Sequence, residues 1–401
     1  SLEWIKSMPN LVELDLRGTA ITDLSLLNTY ATKLETLLID NEGINLTEIQ
    51  TTINRLGDSE YTKTLLTIWH TNRKSGLHIS NQNLANKLKE CTELTRFYIA
   101  SPYELSGITY DLSNCTKLKD FNSKYGNKVK YIFPENIETI RFSYSEVTPD
   151  ISRCKNIITF YYSDPYNFGD SALKKLFEDL GNCSNLNSVT ISALKTETTL
   201  EGIENLAKTK IETLNVSGGY NTAWLPSLKT ELVNIDGIGD LKTLKTLTMN
   251  YTKVTNLDAL AGCTNLENLT AQYGQLNNIS GIANCTNLKI LNFSGNSTIQ
   301  HSSIYDLKPL TNLTKLEQIN LYYNSVSNLT GLENLVNLTT LTLSNNAITN
   351  TVVTENGVVN NLQILADLNK NKLRKLYLSN NKIDDFTILK NITNWEDKGG
   401  W

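Results

Sequence analysis

Proline is scarce in this chain, with seven among 401 residues, and histidine is scarcer still, with three. No apolar run approaches the ~20 residues that a membrane-crossing helix needs, so none of the chain is expected to insert in a membrane. Charge of one sign is also lacking. The formal net charge is −4, which gives no reason to expect nucleic acid or an acidic membrane surface as a partner. The histidines, His70, His78 and His301, fall into no metal-binding spacing such as H-x-x-x-H. Gly-rich phosphate loops, nucleophile elbows and Ser/His/Asp arrangements are missing, and no convergent pair of carboxylates suggests acid–base chemistry. These absences predict a non-catalytic chain with no metal and no cofactor.

What is present is order. A hydrophobic fraction of 40% with 19% charged residues fits a folded protein rather than a disordered one. Leucines recur in a fixed frame: Leu316/Ile319/Leu321/Asn324/Val326, then Leu338/Leu341/Leu343/Asn346/Ile348, 22 residues later. Leu373/Leu376/Leu378/Asn381/Ile383 repeats it, and Leu244/Leu247/Met249/Val254, Leu266/Leu269/Ala271/Leu276 and Leu288/Leu291/Phe293/Asn296 precede it. This resembles the leucine-rich-repeat consensus L-x-x-L-x-L-x-x-N-x-I. The L-x-L core reads as a short strand with alternate side chains inward, and the Asn sits where the chain turns away, its amide placed to bridge neighbouring turns. A single repeat cannot cover its own apolar side, so stacking must supply the core.

With looser substitutions the frame starts at Leu11, Leu34, Lys63, Leu94, Leu118, Ile137, Ile157, Leu186 and Ile211, making about fifteen turns in all. The expectation is one α/β solenoid over residues 1–401: a curved leucine-rich-repeat horseshoe with a parallel concave sheet and a 3₁₀ or α-helical convex side. Residues 1–240 carry irregular, longer repeats. Residues 241–401 carry regular 22-residue repeats with one insertion at 351–370, and a further insertion, Gly219–Asp240, follows Ser217-Gly218-Gly219. Asn328–Leu335 is spaced by threes, as in a 3₁₀ turn, whereas Asp170–Leu180 and the Ile49/Ile53/Leu56 stripe have α-helical spacing, the former opening on a capping residue. The opening Leu2–Asn10 reads as the tail of an earlier repeat, and another repeat begins near Trp395. Ser1–Lys6 lacks the parts of a signal peptide, so a fragment of a longer chain is expected, with signal and anchor elsewhere.

Six cysteines, Cys91, Cys115, Cys154, Cys183, Cys263 and Cys285, all stand three residues before a repeat's first leucine or isoleucine. Other repeats hold Leu241, Leu313, Leu335, Ala31 or Met8 there. Cysteine therefore reads as a small core hydrophobe rather than as a disulfide framework or zinc site. The many N-x-S/T triplets, among them Asn114, Asn284, Asn312, Asn328, Asn337 and Asn391, lie in packed repeats, which points to a cell that leaves them unglycosylated, a bacterium.

Residues between and just after the strand leucines should face solvent on the concave side. Aromatics gather there. Tyr98, Tyr161 and Tyr377 stand between the last two strand hydrophobes, and Trp69, Tyr125, Tyr144, Tyr251, Tyr273, Tyr322 and Tyr323 lie one or two places beyond. His70 accompanies Trp69, with Arg96, Lys124 and Arg141 in the same belt. Tyr251 and Tyr273 are one repeat apart, which places their rings ~4.8 Å apart, and Gly295 and Tyr323 continue the column. Rigid aromatics on one surface give contact area at low entropy cost, so these residues are the candidate ligand-binding set.

The 22-residue units also resemble internalin-like and other bacterial surface leucine-rich repeats. That resemblance implies a secreted or cell-surface binding module for a protein ligand, host or neighbouring-cell, with a glycan also possible. A cytoplasmic regulatory scaffold, similar to phosphatase adaptors built from such repeats, and a passive stalk are the alternatives.

Overall fold

The structure, a computed structural model, describes residues 1–57, 76–100, 106–124, 128–143, 148–163, 169–219, 230–295, 303–355 and 357–397. Two compact units divide the chain: Ser1–Phe168 with Glu178–Val189, and Gly169–Phe177 with Thr190–Trp401. Each is a leucine-rich-repeat α/β solenoid, with parallel strands on one side and return segments on the other.

In the first unit the strands are β1 (Glu13–Asp15), β2 (Thr36–Ile39), β3 (Gly76–Ile79), β4 (Arg96–Ala100), β5 (Ser106–Asp111), β6 (Asp120–Lys124), β7 (Lys128–Ile132), β8 (Thr139–Ser143) and β9 (Thr159–Ser163). The sheet runs β1-β2-β3-β4-β6-β8-β9, each pair parallel, while β5 and β7 form a second parallel pair. Burial alternates strictly along β8 and β9, as one-face packing requires. The extra strand pair is accompanied by large rings between the layers. Phe97, Phe121, Phe142, Phe160 and Tyr162 are fully buried, and Phe121 meets Tyr131 at 4.8 Å between ring centroids. Buried hydroxyls are paired: Tyr110 donates to the Ile79 carbonyl at 2.9 Å, and Tyr131 bonds Ser123 at 2.8 Å.

One turn differs from the sequence frame. The third strand, Gly76–Ile79, pairs directly with β2, so the turn expected to start at Lys63 is not the sheet's third member; Lys63 itself lies outside the described residues. Leu77 and Ile79 supply the strand's inward pair, both fully buried, and His78 between them is 6% exposed. Leucine spacing is ambiguous here because two L-x-L-like runs lie close together, and only pairing with β2 chooses between them.

In the second unit the strands are β10 (Ser188–Ser192, which crosses the unit boundary), β11 (Thr213–Asn215), β12 (Thr246–Thr248), β13 (Asn268–Thr270), β14 (Ile290–Asn292), β15 (Gln318–Asn320), β16 (Thr340–Thr342), β17 (Thr351–Thr354), β18 (Gly357–Asn360) and β19 (Lys375–Tyr377). From β11 to β16, and on to β19, each strand pairs parallel with the next in unshifted register, Leu214-Leu247-Leu269-Leu291-Ile319-Leu341-Leu376 forming one inward row. Those side chains are 0–1% exposed, and each contributes roughly 1.5–3 kcal/mol by leaving water. Short 3₁₀ segments return the chain, at Ile203–Lys208, Ile238–Asp240, Asp258–Leu260, Ser280–Ile282 and Lys308–Leu310. In Asn328–Leu335 the spacing by threes survives as the bonds Leu332 N to Leu329 O and Leu335 N to Leu332 O.

The insertion after Ile348 forms a β17–β18 hairpin and a helix, Asn361–Asn371. Buried Asn361 clamps its base. The Asn361 amide donates to Ser327 O and Thr349 O and accepts from Leu329 N. The helix Asp170–Leu180 also forms, but Asp170 does not cap it. It lies inside the helix, and its carboxylate accepts from Thr198 N and Oγ1 at 2.8 and 2.7 Å.

Candidate functional site

Two residues beyond the last strand hydrophobe, every regular turn must bend away from the sheet. The second unit makes this bend with left-handed backbone at six turns: φ is +64° at Ala193, +57° at Tyr251, +57° at Tyr273, +55° at Tyr323, +59° at Asn345 and +57° at Asn380. Asparagine tolerates that region, while a bulky residue there is an outlier. Each bend is locked to the following turn through its own amide. Tyr251 N donates to Gln272 O and Tyr273 N to Ser294 O at 2.8 Å, and Tyr323 N donates to Ser344 O at 3.1 Å. Gly218 begins the column where nothing larger fits, since a Cβ there would lie 2.3 Å from the Tyr251 carbonyl oxygen.

The repeat spacing then brings the tyrosines together. Tyr251 and Tyr273 stack with ring centroids 4.9 Å apart and planes 20° apart, while Tyr322 and Tyr323 meet edge to face at 5.0 Å. Tyr322 is 37% exposed, and among the described residues the hydroxyls of Tyr273, Tyr322 and Tyr323 have no hydrogen-bond partner.

The other candidates are placed differently. Tyr377 donates to the carboxylate of Asp397, and that acceptor raises its hydroxyl above the ordinary phenol range. In the first unit Tyr98 donates to Asp120 at 2.9 Å, and Arg141 binds the same carboxylate at 2.6 Å. Burial, then the Asp120 charge, pushes the Tyr98 hydroxyl up, so this tyrosine is tied into the sheet. Tyr161 is half-buried, with no ring contact or side-chain hydrogen bond among the described residues. Trp69, His70, Tyr125 and Tyr144 lie outside the described residues.

What sequence reading missed is the backbone strain. A signal existed: the column holding Tyr251, Tyr273 and Tyr323 holds Asn345 and Asn380 elsewhere, a residue type that suits left-handed backbone.

All six cysteines are free and at most 1% exposed. Several donate to carbonyls of the preceding turn, such as Cys115 to Leu88 O at 3.3 Å and Cys183 to Cys154 O at 3.2 Å. Burial pushes the thiols of Cys91, Cys115, Cys154 and Cys263 up to about 12 and that of Cys285 to about 11, so they are protonated and unreactive at neutral pH. Among the described residues no three His, Cys, Asp or Glu side chains are grouped to hold a metal ion, and no helix is long and apolar enough to cross a membrane.

No protein-family model matches the chain, and no curated protein matches it in sequence. Solved structures do match. Internalin F from Listeria monocytogenes aligns with a TM-score of 0.55 at 18% identity, covering 100% of this chain and 89% of its own. The functional domain of InlJ from Listeria monocytogenes, described as including a cysteine ladder, aligns at 0.46 and 16% identity, over 98% of this chain and 74% of that one. A leucine-rich-repeat protein of Leptospira interrogans aligns at 0.40 and 17% identity, over 79% and 80%. At these identities the likeness is one of fold, an internalin-like solenoid.

Proposed function

We propose that this chain is a non-catalytic binding module of a bacterial surface or secreted protein. It takes a protein ligand on the tyrosine-bearing edge of the second unit's sheet. The observation that carries the reading is the left-handed backbone of Tyr251, Tyr273 and Tyr323. Folding alone favours Asn or a small side chain at such a bend, as at Asn345, Asn380 and Ala193, rather than a bulky ring. Each tyrosine gives up roughly 1–2 kcal/mol of backbone energy, and ring stacking returns about 0.5–1.5 kcal/mol for a pair. Strain that packing does not repay is characteristic of functional positions, and rigid tyrosines are typical interface anchors.

The triple variant Tyr251→Asn, Tyr273→Asn, Tyr323→Asn separates function from fold. It should change unfolding free energy by less than about 1 kcal/mol per site, because relief of strain offsets the lost stacking. Leu269→Ala, which empties a fully buried position, should cost about 2–5 kcal/mol. Pull-downs of surface-labelled host-cell proteins with the wild-type chain should yield a partner that the triple variant fails to retain. Equal retention by the variant would remove the tyrosine edge as the site.

A further inference from the structure

Beside the tyrosine edge, the outward positions of six consecutive strands carry no charge. They are Thr213 and Asn215, Thr246 and Thr248, Asn268 and Thr270, Ile290 and Asn292, Gln318 and Asn320, and Thr340 and Thr342. One of the twelve, Ile290, is apolar. The residue following each strand hydrophobe is neutral too, as at Ser217, Asn250, Gln272, Ser294 and Ser344. Charged groups do flank the strands on the entering side, but they include mutually neutralising pairs: Glu212 with Lys245 at 2.8 Å and Glu267 with Lys289 at 2.7 Å.

This face is electrostatically silent yet rich in groups that both donate and accept hydrogen bonds. The hydroxyls of Thr248, Thr270, Thr340 and Thr342 are half-buried and have no partner among the described residues. Because the register is unshifted, Thr248, Thr270, Asn292, Asn320 and Thr342 form a straight row across five strands, ~19 Å long at ~4.8 Å per strand. A charged ligand would be met by complementary charge, and a protein surface by apolar and arginine anchors at the centre of the patch. These strands offer no charge and no arginine, and Ile290 is their one apolar side chain. The chemistry that fits is a polyol. Sugar hydroxyls donate and accept as Thr, Asn and Gln do, and the C–H faces of a pyranose lie flat on tyrosine rings.

We propose that the part of the partner recognised here is a neutral glycan, an uncharged hexose oligosaccharide carried on the partner's surface. It runs across strands β12–β16, its hydroxyls on the Thr and Asn row and its C–H groups against the outer surface of the Tyr251–Tyr273 stack and against Tyr323. This rests on the tyrosine edge being the binding site, and the experiment separates the two. The full chain is titrated against neutral hexose oligosaccharides conjugated to a carrier protein, their sialylated counterparts, and the bare carrier. Neutral conjugates should bind, acidic ones at least tenfold more weakly, and the bare carrier not at all. The variant Thr248→Val, Thr270→Val, Thr342→Val keeps side-chain shape and β-branching and should melt like wild type. It should lose at least tenfold in affinity for the neutral conjugates. Binding of the bare carrier, preference for the sialylated forms, or full affinity in the valine variant would each overturn the glycan assignment. If no conjugate binds while tyrosine-dependent capture of a protein persists, the glycan assignment fails and the tyrosine edge stands.

Discussion

Asn324, Asn346 and Asn381 illustrate how much of this fold rests on single amides. The Asn346 amide donates to Leu321 O and Leu343 O at 2.9 Å, and its oxygen accepts from Val326 N at 2.9 Å. Asn381 repeats this with Leu343 O, Leu378 O and Ile348 N, and Asn324 with Phe293 O, Leu321 O and Ile304 N. One side chain thus satisfies carbonyls of two successive turns and a backbone amide of its neighbour. Removing it strands three groups, so Asn346→Ala should lose about 2 kcal/mol or more in urea unfolding. Asn345→Gly, one residue earlier, keeps the left-handed backbone and gives up a single bond from the Asn380 amide, so it should lose less than half as much. The role of these asparagines was legible from the repeated N in the frame. The tyrosines' role was only half legible, because φ is a property of the folded backbone, not of composition.

At the scale of elements, close approach of return segments sets what each turn can hold. A Cβ at Gly281 would lie 1.8 Å from the Leu257 carbonyl oxygen, and one at Gly331 2.2 Å from that of Leu307. These contacts tie the 3₁₀ segment Ser280–Ile282 to Asp258–Leu260. Gly281→Ala should therefore push the two segments apart. Hydrogen exchange of the Leu260 and Ile282 amides should accelerate at least tenfold, while the amides of β15 and β16 change little. Uniform acceleration along the unit would show that these turns do not open independently. Of the two helical stripes read from spacing, Asp170–Leu180 forms in full, while Ile49/Ile53/Leu56 makes a 3₁₀ segment, Leu46–Ile49, and a single α-turn, Gln50–Ile53, each burying its apolar face. The cap at Asp170 was misread, because a short acceptor near a helix start has several donors within reach. Here Thr198 and Thr199 of the following turn win.

For the whole molecule, the six cysteines give a measurable pH signature. Burial raises all six above an unfolded thiol, so their contribution is fully present below about pH 8.5, and for the five other than Cys183 it is lost as pH rises through about 11–12. The melting temperature should fall progressively above about pH 9, and replacing Cys263 and Cys285 by alanine or valine should flatten that fall. A thiol reagent at pH 8 should label none of the six until the chain is unfolded; rapid labelling of several would contradict their burial.

Leucine spacing by itself determined the solenoid, the inward rows and the cysteines' place in the frame. Each of these depends on a periodicity of two residues within a strand and about 22 between turns. The tertiary structure decided what periodicity cannot express. Strand pairing selected Gly76–Ile79 as the third strand. Contacts between turns forced Tyr251, Tyr273 and Tyr323 into left-handed backbone and set two of their rings 4.9 Å apart. Registration between turns is a long-range property, fixed only when one turn's carbonyls meet the next turn's amides.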